Sequence, residues 1–117
     1  MGNNDVLQIN ELNINVPIII NGGSGDDFIS GSLHDEIISG GSGHDSISGH
    51  GGNDKIFGDS GNDSIYGGDG DDIINGGSGT NTIYGESGND KITGGANNDF
   101  IDGGSEDDII KDPKGTN

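Results

Sequence analysis

Asp27, Asp45, Asp54, Asp63, Asp72, Asp90, Asp99 and Asp108 stand at multiples of nine residues from one another. Glu36 and Asn81 fill the two places that aspartate leaves. Each of these residues ends a six-residue stretch of the kind GGxGxD, rich in glycine and short polar side chains. Carboxylates and backbone carbonyls are hard oxygen ligands, and Ca²⁺ takes six to eight such oxygens. One stretch has too few. Two of them, 18 residues apart, supply two carboxylates and several carbonyls around an ion held between them. On one edge the pairs are Asp27/Asp45, Asp45/Asp63, Asp63/Asn81 and Asn81/Asp99. On the other they are Glu36/Asp54, Asp54/Asp72, Asp72/Asp90 and Asp90/Asp108. Five of the eight pair aspartate with aspartate, so about five to eight ions are expected. Asn81 removes one charge from two neighbouring sites while its amide oxygen can still ligate. Glu36 is one methylene longer and makes the weakest site. The candidate carbonyl ligands are those of Gly22, Gly23, Gly25, Gly40, Gly41, Gly43, Gly49, Gly52, Gly58, Gly61, Gly67, Gly68, Gly70, Gly76, Gly77, Gly79, Gly85 and Gly88.

The elements that must hold these residues follow from the same spacing. From Gly22 to Lys111 the chain divides into ten nine-residue units without insertion, each with glycine first and isoleucine eighth. Positions one to six turn tightly, because glycine and short polar residues tolerate positive φ. Positions seven to nine are extended, and alternation sends the eighth side chain inward and its neighbours outward. A single isoleucine per unit makes no core, but two facing units stacked on further pairs do. The expected fold is all-β: a right-handed parallel β-roll, a solenoid with two short strands and two turns per 18-residue coil and about five coils. At roughly 4.8 Å per strand the array stands about 24 Å tall. Residues 1–11 are expected to be a flexible N-terminal segment, 12–21 a capping strand, and 112–117 a short tail. Phe57, Tyr66 and Tyr84, all at position nine, are candidates for one small adhesive patch.

Composition narrows the function. The 117 residues carry 21 acids, four lysines and no arginine, a formal charge of −17, with 26 glycines. So acidic a chain disfavours nucleic-acid binding, which needs a basic patch. No cysteine is present, which excludes thiolate sites and cysteine nucleophiles. No stretch is long and apolar enough to span a bilayer, and no cleaved signal peptide is evident. His44-Asp45-Ser46 holds catalytic residue types, but each fits its repeat position, and no P-loop, GxSxG or HExxH sequence occurs. A non-enzymatic chain is expected.

The units match GGxGxDxUx, with U a large aliphatic residue, and on that basis residues 22–111 resemble the RTX (repeats-in-toxin) nonapeptide proteins. The resemblance implies a parallel β-roll that binds Ca²⁺ in its turns and is disordered without it. It also implies a bacterial, extracellular protein, exported by type I secretion without a cleaved signal. The six residues after the array leave no room for the usual C-terminal export signal, so the chain is read as part of a larger exported protein. The function expected is Ca²⁺-dependent folding and secretion by a monomeric module. The alternatives are an adhesin or spacer segment, or the non-catalytic part of a secreted protease, lipase or toxin.

Overall fold

The computed structural model describes residues 2–8 and 18–113. Among the described residues, twelve strands form two parallel six-stranded sheets. One contains β1 (Val6–Gln8), β3 (Phe28–Ser30), β5 (Ser46–Gly51), β7 (Ser64–Asp69), β9 (Thr82–Ser87) and β11 (Phe100–Asp102) in that order. The other contains β2 (Ile18–Ser24), β4 (Glu36–Ser42), β6 (Lys55–Ser60), β8 (Ile73–Asn75), β10 (Lys91–Thr93) and β12 (Ile109–Lys111). Consecutive strands fall in opposite sheets, so the chain coils, and the expected β-solenoid is what it forms. The molecule is flat, 39 × 34 × 15 Å. Among the described residues no helix is long and apolar enough to cross a membrane.

The nine-residue period sets the register. Ile29 pairs with Ile47, Ile47 with Ile65 and Ile65 with Ile83 in one sheet; Ile38 pairs with Ile56 and Ile56 with Ile74 in the other. These side chains meet between the sheets, and every one from Ile29 to Ile92 is at most 1% exposed. Burying a side chain of this size contributes about 1.5–3 kcal/mol. Ile110, on the last strand, is only partly buried.

Within residues 1–11, for which the sequence predicts a flexible segment, the described stretch Val6–Gln8 forms β1 and Leu7 pairs with Ile29. The cause lies in the sequence Gly2-Asn3-Asn4-Asp5-Val6-Leu7, a degenerate copy of Ala96-Asn97-Asn98-Asp99-Phe100-Ile101. Asn3 adopts φ 65°, close to the 75° of Asn97. The offset hides this copy: Leu7 precedes Ile29 by 22 residues rather than 18. Of the expected capping strand, residues 18–21 open β2, with Ile20 paired to Ile38 as in any other coil; residues 12–17 lie outside the described residues. Ile18 takes the register place of a turn carboxylate, opposite Glu36, and is buried.

Candidate metal centre

Position six belongs to the interior. Strand alternation places positions six and eight on the same side, so the turn aspartates point inward with the isoleucines. Asp27, Asp45, Asp54, Asp63, Asp72, Asp90 and Asp99 are each at most 4% exposed; Asp108, at the last coil, is half-buried. They form two rows along the stack. Within each row, a backbone N–H donates to Oδ1 of the aspartate one coil further on: Asp27 to Asp45 (2.8 Å), Asp45 to Asp63 (2.9 Å), Asp54 to Asp72 (2.8 Å), Asp72 to Asp90 (2.8 Å) and Asp90 to Asp108 (3.0 Å). All five all-aspartate pairs are therefore neighbours.

The second carboxylate oxygen has nothing. Oδ2 of Asp27, Asp45, Asp54, Asp63, Asp72, Asp90 and Asp99 is buried without a hydrogen-bond partner. Buried polar groups are nearly always satisfied, so a row of such oxygens fits a bound cation. The orphaned oxygens face the position-one glycines. At Gly58 a Cβ would lie 2.5 Å from the Gly76 carbonyl oxygen and 2.6 Å from Asp63 Oδ2; at Gly40 it would lie 2.6 Å from Asp45 Oδ2 and 3.0 Å from the Gly58 carbonyl oxygen. Position-one glycine is thus required by space, since Gly40 and Gly58 do not have positive φ. Position four differs: Gly61 has φ 130° and packs on the carbonyl of Gly43. Carboxylate and carbonyl oxygens converge on each cradle, which is the donor set a hard cation needs. No group of three or more His, Asp or Glu side chains converges among the described residues; at the Gly40 and Gly58 cradles the carboxylate oxygen is accompanied by a backbone carbonyl.

Electrostatics agree. Burial, opposed by the backbone N–H and reinforced by neighbouring carboxylates, pushes Asp54 and Asp72 up to about 7 and Asp63 to about 6. Asp45, Asp90 and Asp99 are raised for the same leading reason. Ionised carboxylates stacked in this way require a proton or a cation between them.

Two positions behave differently. Glu36 is buried in its row and donates its N–H to Asp54 Oδ1 at 2.7 Å. Its own carboxylate folds back onto the N–H of Ser32 (3.1 Å) and the Ser32 hydroxyl, so it leaves no orphaned oxygen. The extra methylene permits that return, and the two residues satisfy each other. Asn81 is expected above to offer its amide oxygen; instead Oδ1 accepts the Asp63 N–H at 2.9 Å. Its buried Nδ2, a donor, is the atom aimed at the Gly76 cradle.

Sequence reasoning passed over a second ladder. Position-five side chains accept the N–H of the equivalent residue one coil on: Asp26 from His44 (2.7 Å), Asp35 from Asn53 (2.7 Å) and Asp71 from Asn89 (2.9 Å). The preference for Asp and Asn at that position was the available signal. It also passed over Asp5, whose N–H donates to Asp27 Oδ1 at 2.7 Å. The proposed aromatic patch divides: Tyr66 and Tyr84 stack at 5.2 Å, but Phe57 is on β6, in the opposite sheet.

A family model described as the RTX calcium-binding nonapeptide repeat matches the chain in four copies, at residues 19–47, 30–64, 48–83 and 75–110. No curated protein and no solved structure matches it.

Proposed function

The chain belongs to the RTX calcium-binding nonapeptide-repeat family, and from that premise we propose that it is a module whose folding is driven by Ca²⁺ held between stacked turns. The observation that carries this reading is the double row of buried, unpartnered aspartate oxygens. The residues that would hold the ions are the five pairs Asp27/Asp45, Asp45/Asp63, Asp54/Asp72, Asp72/Asp90 and Asp90/Asp108, with carbonyls of the position-one, -two and -four glycines. Bound Ca²⁺ supplies positive charge where the carboxylates would otherwise repel. The Glu36/Asp54 pair and both Asn81 pairs are weaker sites, since Glu36 is satisfied by Ser32 and Asn81 presents a donor.

Coupling between folding and binding follows from the fold. Each coil touches only its neighbours, as in other solenoids, so filling one site favours the next. Each site contributes about 2.7 kcal/mol when Ca²⁺ exceeds its dissociation constant a hundredfold. Extracellular Ca²⁺ modules bind at roughly 10⁻⁴ to 10⁻³ M, so such a chain stays unfolded where Ca²⁺ is scarce and folds where it is abundant. That behaviour suits an extracellular destination reached in an unfolded state, by type I secretion as part of a larger exported protein. The RTX β-roll is a structural, non-catalytic fold, and the role of this module is mechanical rather than enzymatic.

Far-ultraviolet circular dichroism tests the reading, with titration calorimetry for stoichiometry. A strand spectrum should emerge on adding Ca²⁺ at neutral pH and vanish with chelator, with about five ions bound. A strand spectrum indifferent to chelation would overturn it.

A further inference from the structure

The outward face of the β2–β12 sheet is unlike the rest of the molecule. Its position-seven side chains run Ile19, Ile37, Lys55, Ile73, Lys91, Ile109, in register from strand to strand. All six are exposed, Ile19 at 74% and Ile109 at 53%. Lys111, at position nine of β12, is exposed as well. Three of the four lysines in the chain therefore project from one face. No acid occupies an outward position seven or nine of these strands, although the protein has 21 acids and a charge of −17. The one carboxylate seen against these positions among the described residues is that of Asp59, near the end of β6, which accepts the Ser39 hydroxyl. The opposite sheet reverses this, with no lysine and with Asp102 at its last outward position. Exposed apolar side chains occur on both sheets, but only here are they interleaved with all the described lysines, which gives this face an apolar and cationic character together.

We propose that this face docks an acidic amphipathic helix of a partner polypeptide, laid along the stack. Lys55 and Lys91 are two strands apart, about 9.6 Å at the usual strand spacing. Seven residues of α-helix advance about 10.5 Å. Glutamates one heptad apart therefore meet both ammonium groups, and an apolar side chain between them meets Ile73. An extended strand repeats its facing side chains about every 6.7 Å and matches neither spacing. A depression of about 380 Å³, lined by Ile73, Lys91, Ile92, Thr93, Ile109 and Lys111, can receive one apolar anchor between two cations. A helix about 10 Å wide covers the face without reaching the acidic turns. An anionic bilayer is broader and would press against those turns, and a second copy would bring more lysine and a further −17 of charge.

The probe is a fluorescent helical peptide of about 20 residues, roughly 30 Å long, with glutamate at every seventh position and leucine between. It is titrated with Ca²⁺-loaded protein and followed by anisotropy; a second peptide has every glutamate replaced by lysine. The first should bind and the second should not. Lys55→Glu/Lys91→Glu should weaken binding at least about tenfold, and Ile73→Ser should weaken it too, both with an unchanged strand spectrum. Because the spectrum reports folding separately, failure of the Ca²⁺ reading is distinguishable from failure of this one. The proposal is overturned if the glutamate peptide does not bind, if both peptides bind alike, or if the double variant binds as tightly as the parent. Binding of anionic lipid vesicles without the peptide would assign the face to a membrane. A dimer abolished by Lys91→Glu would assign it to a second copy. Either result also overturns the proposal.

Discussion

Acid should fold this protein in the absence of calcium. The perturbation is pH, applied with chelator present. Burial first, and neighbouring carboxylates second, raise Asp54 and Asp72 to about 7 and Asp63 to about 6. In the unfolded chain all three titrate near 3.8. The folded state therefore binds more protons than the unfolded one between pH 4 and 7. A raised carboxyl contributes stability that is complete below the unfolded value and lost as pH climbs through the folded value. At 1.36 kcal/mol per unit, Asp54 and Asp72 each lose about 4 kcal/mol across that window and Asp63 about 3. Asp54 and Asp72 titrate as coupled neighbours, so these losses do not simply add, yet even one of them is a large share of an ordinary domain's stability, about 5–15 kcal/mol. The assay is far-ultraviolet circular dichroism in chelator from about pH 3.5 to about pH 8, repeated in about 10 mM Ca²⁺, above the roughly millimolar constants of extracellular modules. Strand signal should fall between about pH 4 and about pH 7 in chelator and persist to about pH 8 with Ca²⁺. A chelated chain whose strand signal is flat across that range, or grows with pH, would refute the reasoning.

Substitutions at Asp72, Gly58 and Asn81 separate charge from structure. Asp72→Asn retains an acceptor for the Asp54 N–H, so it should fold more readily in chelator at pH 7 yet bind about two fewer ions by calorimetry. Asp72→Ala removes the acceptor as well, leaving a buried N–H unpaired at a cost of about 1–3 kcal/mol, read as a lower thermal midpoint in Ca²⁺. Because Asp72 serves two all-aspartate pairs, Asp72→Ala should also lose more Ca²⁺ than Asn81→Ala; the opposite order would contradict the pairing. Gly58→Ala puts a methyl 2.5 Å from a carbonyl oxygen and 2.6 Å from Asp63 Oδ2, and should cost about 1–3 kcal/mol as overpacking does, measured by urea unfolding in Ca²⁺. Asn81→Asp replaces the donor in the Gly76 cradle by an oxygen, and should raise the Ca²⁺ stoichiometry while making the chelated form less stable at pH 7.

The nine-residue period made both sheets legible, because isoleucine at the eighth position of every unit leaves one inward solution once the strands stack. It also made the aspartate pairs legible, since 18 residues return the chain to the same edge. What it concealed was how each carboxylate divides its work. Oδ1 of Asp72 completes the backbone of the neighbouring coil, and only Oδ2 is left for an ion. Nothing in the spacing separates two oxygens of one group. The same division explains why Asn81 fits its row while weakening its site: the amide keeps the structural bond and substitutes a donor for the free oxygen. Glu36 shows the converse, holding its place in the row while Ser32 satisfies its carboxylate. The N-terminal copy escaped for a different reason. Its turn chemistry survives in Asn3 and Asp5, but the 22-residue offset breaks the period by which every other unit is found. Asp5 has the contact that Asp27 makes to Asp45, and its Oδ2 is likewise buried without a partner. A carboxylate so placed tests whether geometry or motif decides ligation. Asp5→Asn should lower the Ca²⁺ stoichiometry without altering the strand spectrum if geometry decides, and leave the stoichiometry unchanged if the full nine-residue motif is required.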